Sequence, residues 1–278
     1  MEDLGPFVLP YTRTHHFTAA ANGRDYRVFV ATPSAKTPDR PLPILFALDA
    51  NGGMGTVVET ARMMMLGNEI EQIIIAGIGY NASLREMMGL RNYELSPSHD
   101  PAFVERAATQ GQAIEKGGLG GAPGFLQFIA HELAPFMEAE YGASPDDRGI
   151  WGFSLGGLFA AYALLQPNPV FQRYIIGSPS LWWHDRAMFG LEAERAKQGG
   201  RLDARVFMSA GELEQQPGLA QMAPFRMVSN AVEMASRLGS RGYEGLTVTS
   251  HIFPGESHQS AIGATIARGL RVIYGTQS

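Results

Sequence analysis

Residues 148–165, RGIWGFSLGGLFAAYALL, constrain the chain more than any other stretch. Gly152-Phe153-Ser154-Leu155-Gly156 fits the pattern G-x-S-x-G, a weak signal alone in a chain with 33 glycines. Its flanks give it meaning. Arg148 to Phe153 carries Ile150, Trp151 and Phe153, side chains suited to a short buried strand. Leu155 to Leu165 is rich in Ala and Leu and stops before Pro167, which predicts a helix. Ser154 then sits on a sharp strand-to-helix turn. Such a turn strains the nucleophile's backbone and needs small neighbours so that strand and helix can approach. The helix N-terminus aims free N–H groups at the site, and the N–H of Leu155 becomes a candidate oxyanion donor.

The rest of the chain supplies the sheet around that turn. THHFTAAANGRDYRVFVATP alternates, and Asn22-Gly23 marks a hairpin between two strands at an antiparallel edge. PLPILFAL (41–48) is a continuous apolar run, read as a buried strand that ends at Asp49-Ala50-Asn51-Gly52-Gly53. A helix is expected over about 55–68. A further strand lies within 71–79, which contains IIIAGIG. Residues 80–124 are rich in Gly, Pro, Asn and Ser and read as one long loop or lid-like segment. An amphipathic helix is expected at 124–141. Strands at 171–178, 205–210 and 246–253 alternate with helices at 185–198, 222–239 and from the last strand to about Tyr274. Strand–helix alternation predicts a single α/β domain over 1–278, with a mainly parallel sheet, helices on both faces and antiparallel N-terminal strands.

Composition narrows the function. A net charge of −5 with scattered basic residues argues against nucleic acid as partner. The absence of cysteine removes thiol nucleophiles, disulfides and zinc–thiolate sites. No apolar run reaches membrane-spanning length. The first residues, MEDLGPFVLPYTRTHH, lack a basic start followed by an apolar run, so a cytoplasmic location is expected. A periplasmic location follows instead if a leader has already been removed. Sequence sets no oligomeric state.

Ligands of such sheets bind at the carboxyl ends of the strands. A serine hydroxyl there needs a base, and the base needs an orienting acceptor. The chain order on such a sheet is Ser, then acid, then His. His258 follows the last strand in Pro254-Gly255-Glu256-Ser257-His258 and is the candidate base. Glu214, three residues past Gly211, is the candidate acid, with Glu212 the alternate and a Ser–His dyad the third option. The second oxyanion donor is expected after the PILFAL strand, at Asn51 N–H, with Gly52 as alternate. This chemistry calls for no metal and no organic cofactor.

LDANGG, GIGY, RNYELSPS, GFSLGGLFAAYALL, SPSLWW, GELE and FPGESH occur here in the order seen in the Putative esterase branch of the α/β-hydrolases. Over about residues 15–275 the chain resembles the enterochelin and salmochelin esterases that open trilactone siderophores. The resemblance implies Ser154 as nucleophile, His258 as base, and an oxyanion hole from Leu155 and Asn51. Ala50 stands where relatives often have Gly. It also implies a small-molecule ester substrate, with a ferric siderophore as one candidate. General short-chain or aryl esterases, S-formylglutathione hydrolases and acyltransferases share the pattern, and a non-catalytic siderophore binder is the alternative from another class. A bulky anionic substrate should meet cations at the pocket rim, for which Arg85, Arg91 and Arg226 are candidates. Trp182 and Trp183 are candidates for an aromatic wall.

Overall fold

The structure, a computed structural model, describes residues 5, 8–34, 39–115, 117–216 and 223–276. Eight strands form one sheet: β1 (Thr12–Thr18), β2 (Asp25–Ala31), β3 (Leu42–Ala47), β4 (Ile74–Tyr80), β5 (Ala143–Phe153), β6 (Arg173–Gly177), β7 (Arg201–Gly211) and β8 (Glu244–Phe253). Their spatial order is β1-β2-β4-β3-β5-β6-β7-β8. β1 and β2 pair antiparallel, as do β2 and β4. From β4 to β8 every pairing is parallel.

At the centre of the sheet both faces are buried, and every residue of β3 and β4 is closed off from water. In β3, Ile44 and Phe46 enter one core, while Leu45 and Ala47 enter the other. The second core is closed by helices α1 (Ala50–Leu66) and α9 (Ala261–Tyr274), through Val57, Val58, Ala61, Ile266, Leu270 and Ile273. On the first face, α4 (Ala122–Phe128) runs through a π-helical turn (Ile129–Leu133) into α5 (Ala134–Tyr141). α6 (Leu155–Leu164), α7 (Trp183–Gln198) and α8 (Met227–Ser240) complete that layer, with Leu158, Phe159, Met188 and Met234 in its core.

Two expectations about this frame need correction. Residues 80–124 are not one long loop: α2 (Leu84–Glu94) and α3 (Pro101–Thr109) lie within them. Ser83 and Glu86 make a reciprocal capping box at the start of α2. Asp100 accepts from Phe103 N–H at the start of α3, with Pro101 in its first turn. Both are local signals that outweigh the Gly- and Pro-rich composition around them. Also, α1 begins at Ala50, not near residue 55, so Asn51 and Gly52 lie in its first turn.

The chain reverses direction across the sheet at β3. β4 lies on one side of it and β5 on the other. The carboxyl ends of β3 and β5 therefore flank a crevice, and it is from these ends that Asn51 and Ser154 follow.

Candidate active site

Ser154 is the hinge between β5 and α6. Its backbone has φ 60° and ψ −117°, a region L-residues rarely occupy. Three hydrogen bonds hold it there: Ser154 N–H donates to Gly177 O (3.0 Å), and its carbonyl accepts from Leu158 N–H and Ser180 N–H (3.0 Å each). Two glycines make the crossing possible. A Cβ on Gly152 would collide with the Gly156 carbonyl, and one on Gly157 would lie 2.7 Å from Gly177 O. Leu155, the first residue of α6, has an N–H with no intrahelical acceptor.

Glu214 is buried in a 3-10 turn just past β7. Its Oε1 accepts from Ser178 Oγ (2.5 Å) and Gly211 N–H (2.6 Å), and its Oε2 pairs with His258 Nδ1 (2.7 Å). Three hydrogen bonds thus fix this one buried side chain. A carboxylate can only accept, so His258 Nδ1 carries the proton and Nε2 is left as the acceptor. Ser178 reaches Glu214 from a left-handed backbone, φ 37°. Glu212, the alternate acid, is exposed and instead accepts from Gly255 N–H at 2.9 Å.

Ser154 and His258 line one cavity of about 680 Å³. Asn51, Gly52, Tyr80, Met87, Met88, Arg91, Trp151, Phe153 and Ile262 share its wall. Ser154 Oγ lies 3.5 Å from Ser180 Oγ. Among the described residues no hydrogen bond joins it to His258.

The wall that follows β3 is held by two clamps. Asn51 Oδ1 accepts from Tyr80 N–H (2.7 Å), and its Nδ2 donates to Tyr80 O (3.0 Å). Gly79 leaves room for this, since a Cβ there would meet Asn51 Oδ1. Gly52 N–H, the alternate donor, turns back on Asp49 O at 3.2 Å. The second clamp is Arg91, whose Nε and Nη2 bond Asp49 at 2.6 and 2.9 Å. Burial works against the Arg91 charge, but the Asp49 carboxylate outweighs it and raises its pKa. Burial, then the Glu94 and Asp49 charges, push the Tyr80 phenol well up, so it stays protonated.

The sequence-based rim fares unevenly. Arg91 reaches the cavity, but its guanidinium is committed to Asp49. Arg85 is exposed and does not line the cavity. Arg226 is exposed at the start of α8. Trp183 is not a cavity wall: it is 0% exposed, packs on Phe103 and donates Nε1–H to Ser98 O. Trp182 is half-buried against Phe225 and does not line the cavity. Asp49, Ser178, Ser180 and Tyr80 were missed. Asp49 lies two residues past β3, Tyr80 closes β4, and Ser178 and Ser180 sit in SPS after β6, so position at the carboxyl edge was their available signal. Among the described residues, no three His, Asp or Glu side chains are grouped to hold a metal, and no helix is long and apolar enough to cross a membrane.

Comparison with known proteins adds relatives to this geometry. Residues 19–271 match the model of the family described as Putative esterase. The chain is 30% identical over 272 residues to the ferri-bacillibactin esterase BesA of Bacillus subtilis, covering 95% of this chain and 90% of that one. It is 28% identical to the siderophore triacetylfusarinine C esterase of Aspergillus fumigatus, covering 91% and 89%. Among solved structures, the BES protein from Bacillus cereus superposes with a TM-score of 0.81 at 25% identity, covering 99% and 98%. The siderophore hydrolase EstB from Aspergillus nidulans shares the fold, with a TM-score of 0.83 at 21% identity and 98% of each chain covered.

Proposed function

The chain belongs to the Putative esterase family of serine carboxylic-ester hydrolases, and from that premise we propose that it opens ester-linked siderophores and so releases their iron. The observation that carries the site assignment is the buried Glu214–His258 pair beside Ser154, whose backbone is strained into the cavity that His258 lines. Ser154 is the nucleophile, His258 the base and Glu214 the orienting acid. His258 Nε2 takes the Ser154 proton as Oγ attacks the ester carbonyl. The tetrahedral oxyanion is held by the N–H groups of Leu155 and Asn51. The C–O bond breaks, and the alcohol leaves with the proton from His258. Water, deprotonated by the same nitrogen, then attacks the acyl-enzyme and frees the acid and Ser154. Iron enters as substrate cargo and takes no part in these steps.

The siderophore reading is supported by the substrates in the names of two relatives, each of which this chain matches over at least 91% of its length. The test is to incubate the protein and its Ser154→Ala variant with a ferric trilactone, a short acyl ester, a feruloyl ester and S-formylglutathione, and to weigh the products. Ser154-dependent opening of the trilactone, well above turnover of the other esters, is expected. Turnover of simple esters alone removes the siderophore reading. Activity retained by Ser154→Ala removes the nucleophile assignment.

A further inference from the structure

Six arginines stack on aromatic rings in this protein: Arg24, Arg106, Arg173, Arg186, Arg195 and Arg237. Five of them also give their guanidinium N–H groups to an acceptor. Arg24 bonds Glu115, Arg173 bonds Asp147 and Glu71, and Arg186 and Arg237 bond Glu233. Arg195 bonds the carbonyls of Gly199 and Arg201. Arg106 is the exception. It is half-buried, with its guanidinium 5.2 Å from the Trp182 ring centre, 5.8 Å from Phe225 and 6.0 Å from Phe103. Among the described residues its guanidinium has no carboxylate or carbonyl partner. A planar cation with five donors, set in an aromatic wall, matches a planar anion.

This wall stands beside the nucleophile. Ser180 N–H bonds the Ser154 carbonyl, and the two hydroxyl oxygens are 3.5 Å apart. Trp182 follows two residues later, a span of at most about 7 Å. The chain then makes a left-handed turn at His184, Asp185 and Arg186, with φ of 46°, 49° and 63°. L-residues rarely adopt this conformation, and three in succession persist only where surrounding contacts enforce them. Those contacts are Trp183 Nε1–H to Ser98 O (3.2 Å), His184 Nδ1 with Ser98 Oγ (2.9 Å), and His184 N–H to Asp100 Oδ2 (2.9 Å). Asp100 also caps α3, the helix that carries Arg106. The strained turn thus fixes Trp182 against the helix that holds the cation over it.

We propose that Arg106, Trp182 and Phe225 form a second subsite, near Ser154 and outside the main cavity, for an anionic aryl group of the ester substrate. This rests on the reading of the substrate as a multi-armed siderophore ester. Attack by Ser154 divides such a substrate into an acyl part and an alcohol part, and an aryl group carried by either part needs a place beside the serine.

The experiment uses small probes so that it does not depend on trilactone turnover. 2,3-Dihydroxybenzoate and its neutral amide are compared as inhibitors of p-nitrophenyl acetate hydrolysis, in the wild type and in Arg106→Gln, Arg106→Lys and Trp182→Leu. The acid should inhibit the wild type at least about tenfold better than the amide, worth about 1.4 kcal/mol. Arg106→Gln should erase that ratio and Arg106→Lys should keep part of it. Trp182→Leu should weaken both probes. A wild type that does not discriminate, or an Arg106→Gln enzyme that still does, overturns the subsite. The second outcome would move the anion to Arg91. Failure to open a ferric trilactone falls on the substrate reading, because the inhibition ratio is read without one.

Discussion

Glu214 and Glu212 are two residues apart, and their side chains serve different partners. Glu214 is closed off from water and bonds His258, whereas Glu212 stays exposed and bonds Gly255 N–H. Glu214→Gln turns the His258 partner from an acceptor of fixed charge into a neutral amide. It should lower kcat on the order of 10³–10⁴-fold. Glu212→Gln changes a surface contact and should leave kcat within about twofold. Equal losses, measured on one simple ester, would mean that His258 is not oriented by Glu214. Ser178 acts through the same carboxylate. Ser178→Ala removes one of its three donors and should cut kcat about tenfold with KM held; a change confined to KM would contradict that positioning role. The placement of Ser154, His258 and Glu214 on one edge was legible from chain order, because strand ends collect there in a parallel sheet, whereas chain order did not separate Glu214 from Glu212. Ser178 was not legible. Nothing in the sequence says that its hydroxyl reaches Glu214, a residue 36 positions away.

At the scale of elements, α2 is the piece that sequence composition concealed. Its last turn reaches a buried polar cluster. Tyr26 of β2 donates to Glu94 Oε1, and Arg24 Nε lies 3.4 Å from the same oxygen while its Nη2 bonds Glu115. Tyr80 at the end of β4 faces the cluster too, and it also clamps Asn51. Burial raises the Glu94 carboxyl from 4.5 to about 7, against the opposing pull of the Tyr26 and Tyr80 hydroxyls and the Arg24 charge, while Glu115 adds to the rise. The folded state therefore binds a proton that the unfolded chain has released. Stability is full below about pH 4.5 and falls as pH rises to about 7, where the folded carboxyl ionises as well. Glu94→Gln keeps the neutral form at every pH. Urea midpoints at pH 5 and pH 8 should lie closer together for this variant than for the wild type. The same wild-type slope in both would remove Glu94 as its source. The capping box Ser83-x-x-Glu86 and the pair Asp100-Pro101 were visible in the sequence, but each marks only a helix start. What α2 packs against depends on long-range contacts that no local pattern encodes.

Across the whole molecule, the sheet separates chemistry from anchorage. Ser154, Glu214, Asn51 and His258 all follow the carboxyl ends of strands. The opposite edge is tied by Arg173, the first residue of β6. Its guanidinium bonds Asp147, Glu71 and the Ile273 carbonyl near the end of α9, and lies over the Tyr274 ring. One side chain thus joins β5, β6, the entry to β4 and the C-terminal helix. The alternation of strands and helices made this frame readable, since apolar runs in parallel strands leave few other ways to bury both faces. Arg173 was not readable, because an arginine at a strand start is usually a solvated charge. Here it is 6% exposed, and its carboxylate partners, at 30% and 28%, keep partial contact with water. Removing one member of a buried pair costs about 3–5 kcal/mol, and the partial hydration of the partners places this one near 3 kcal/mol. Arg173→Met should therefore lower the urea midpoint sharply, while kcat measured well below the transition stays at the wild-type value. If kcat falls together with stability, the two edges of the sheet are coupled, and the catalytic constellation depends on more than the carboxyl-end loops and their clamps.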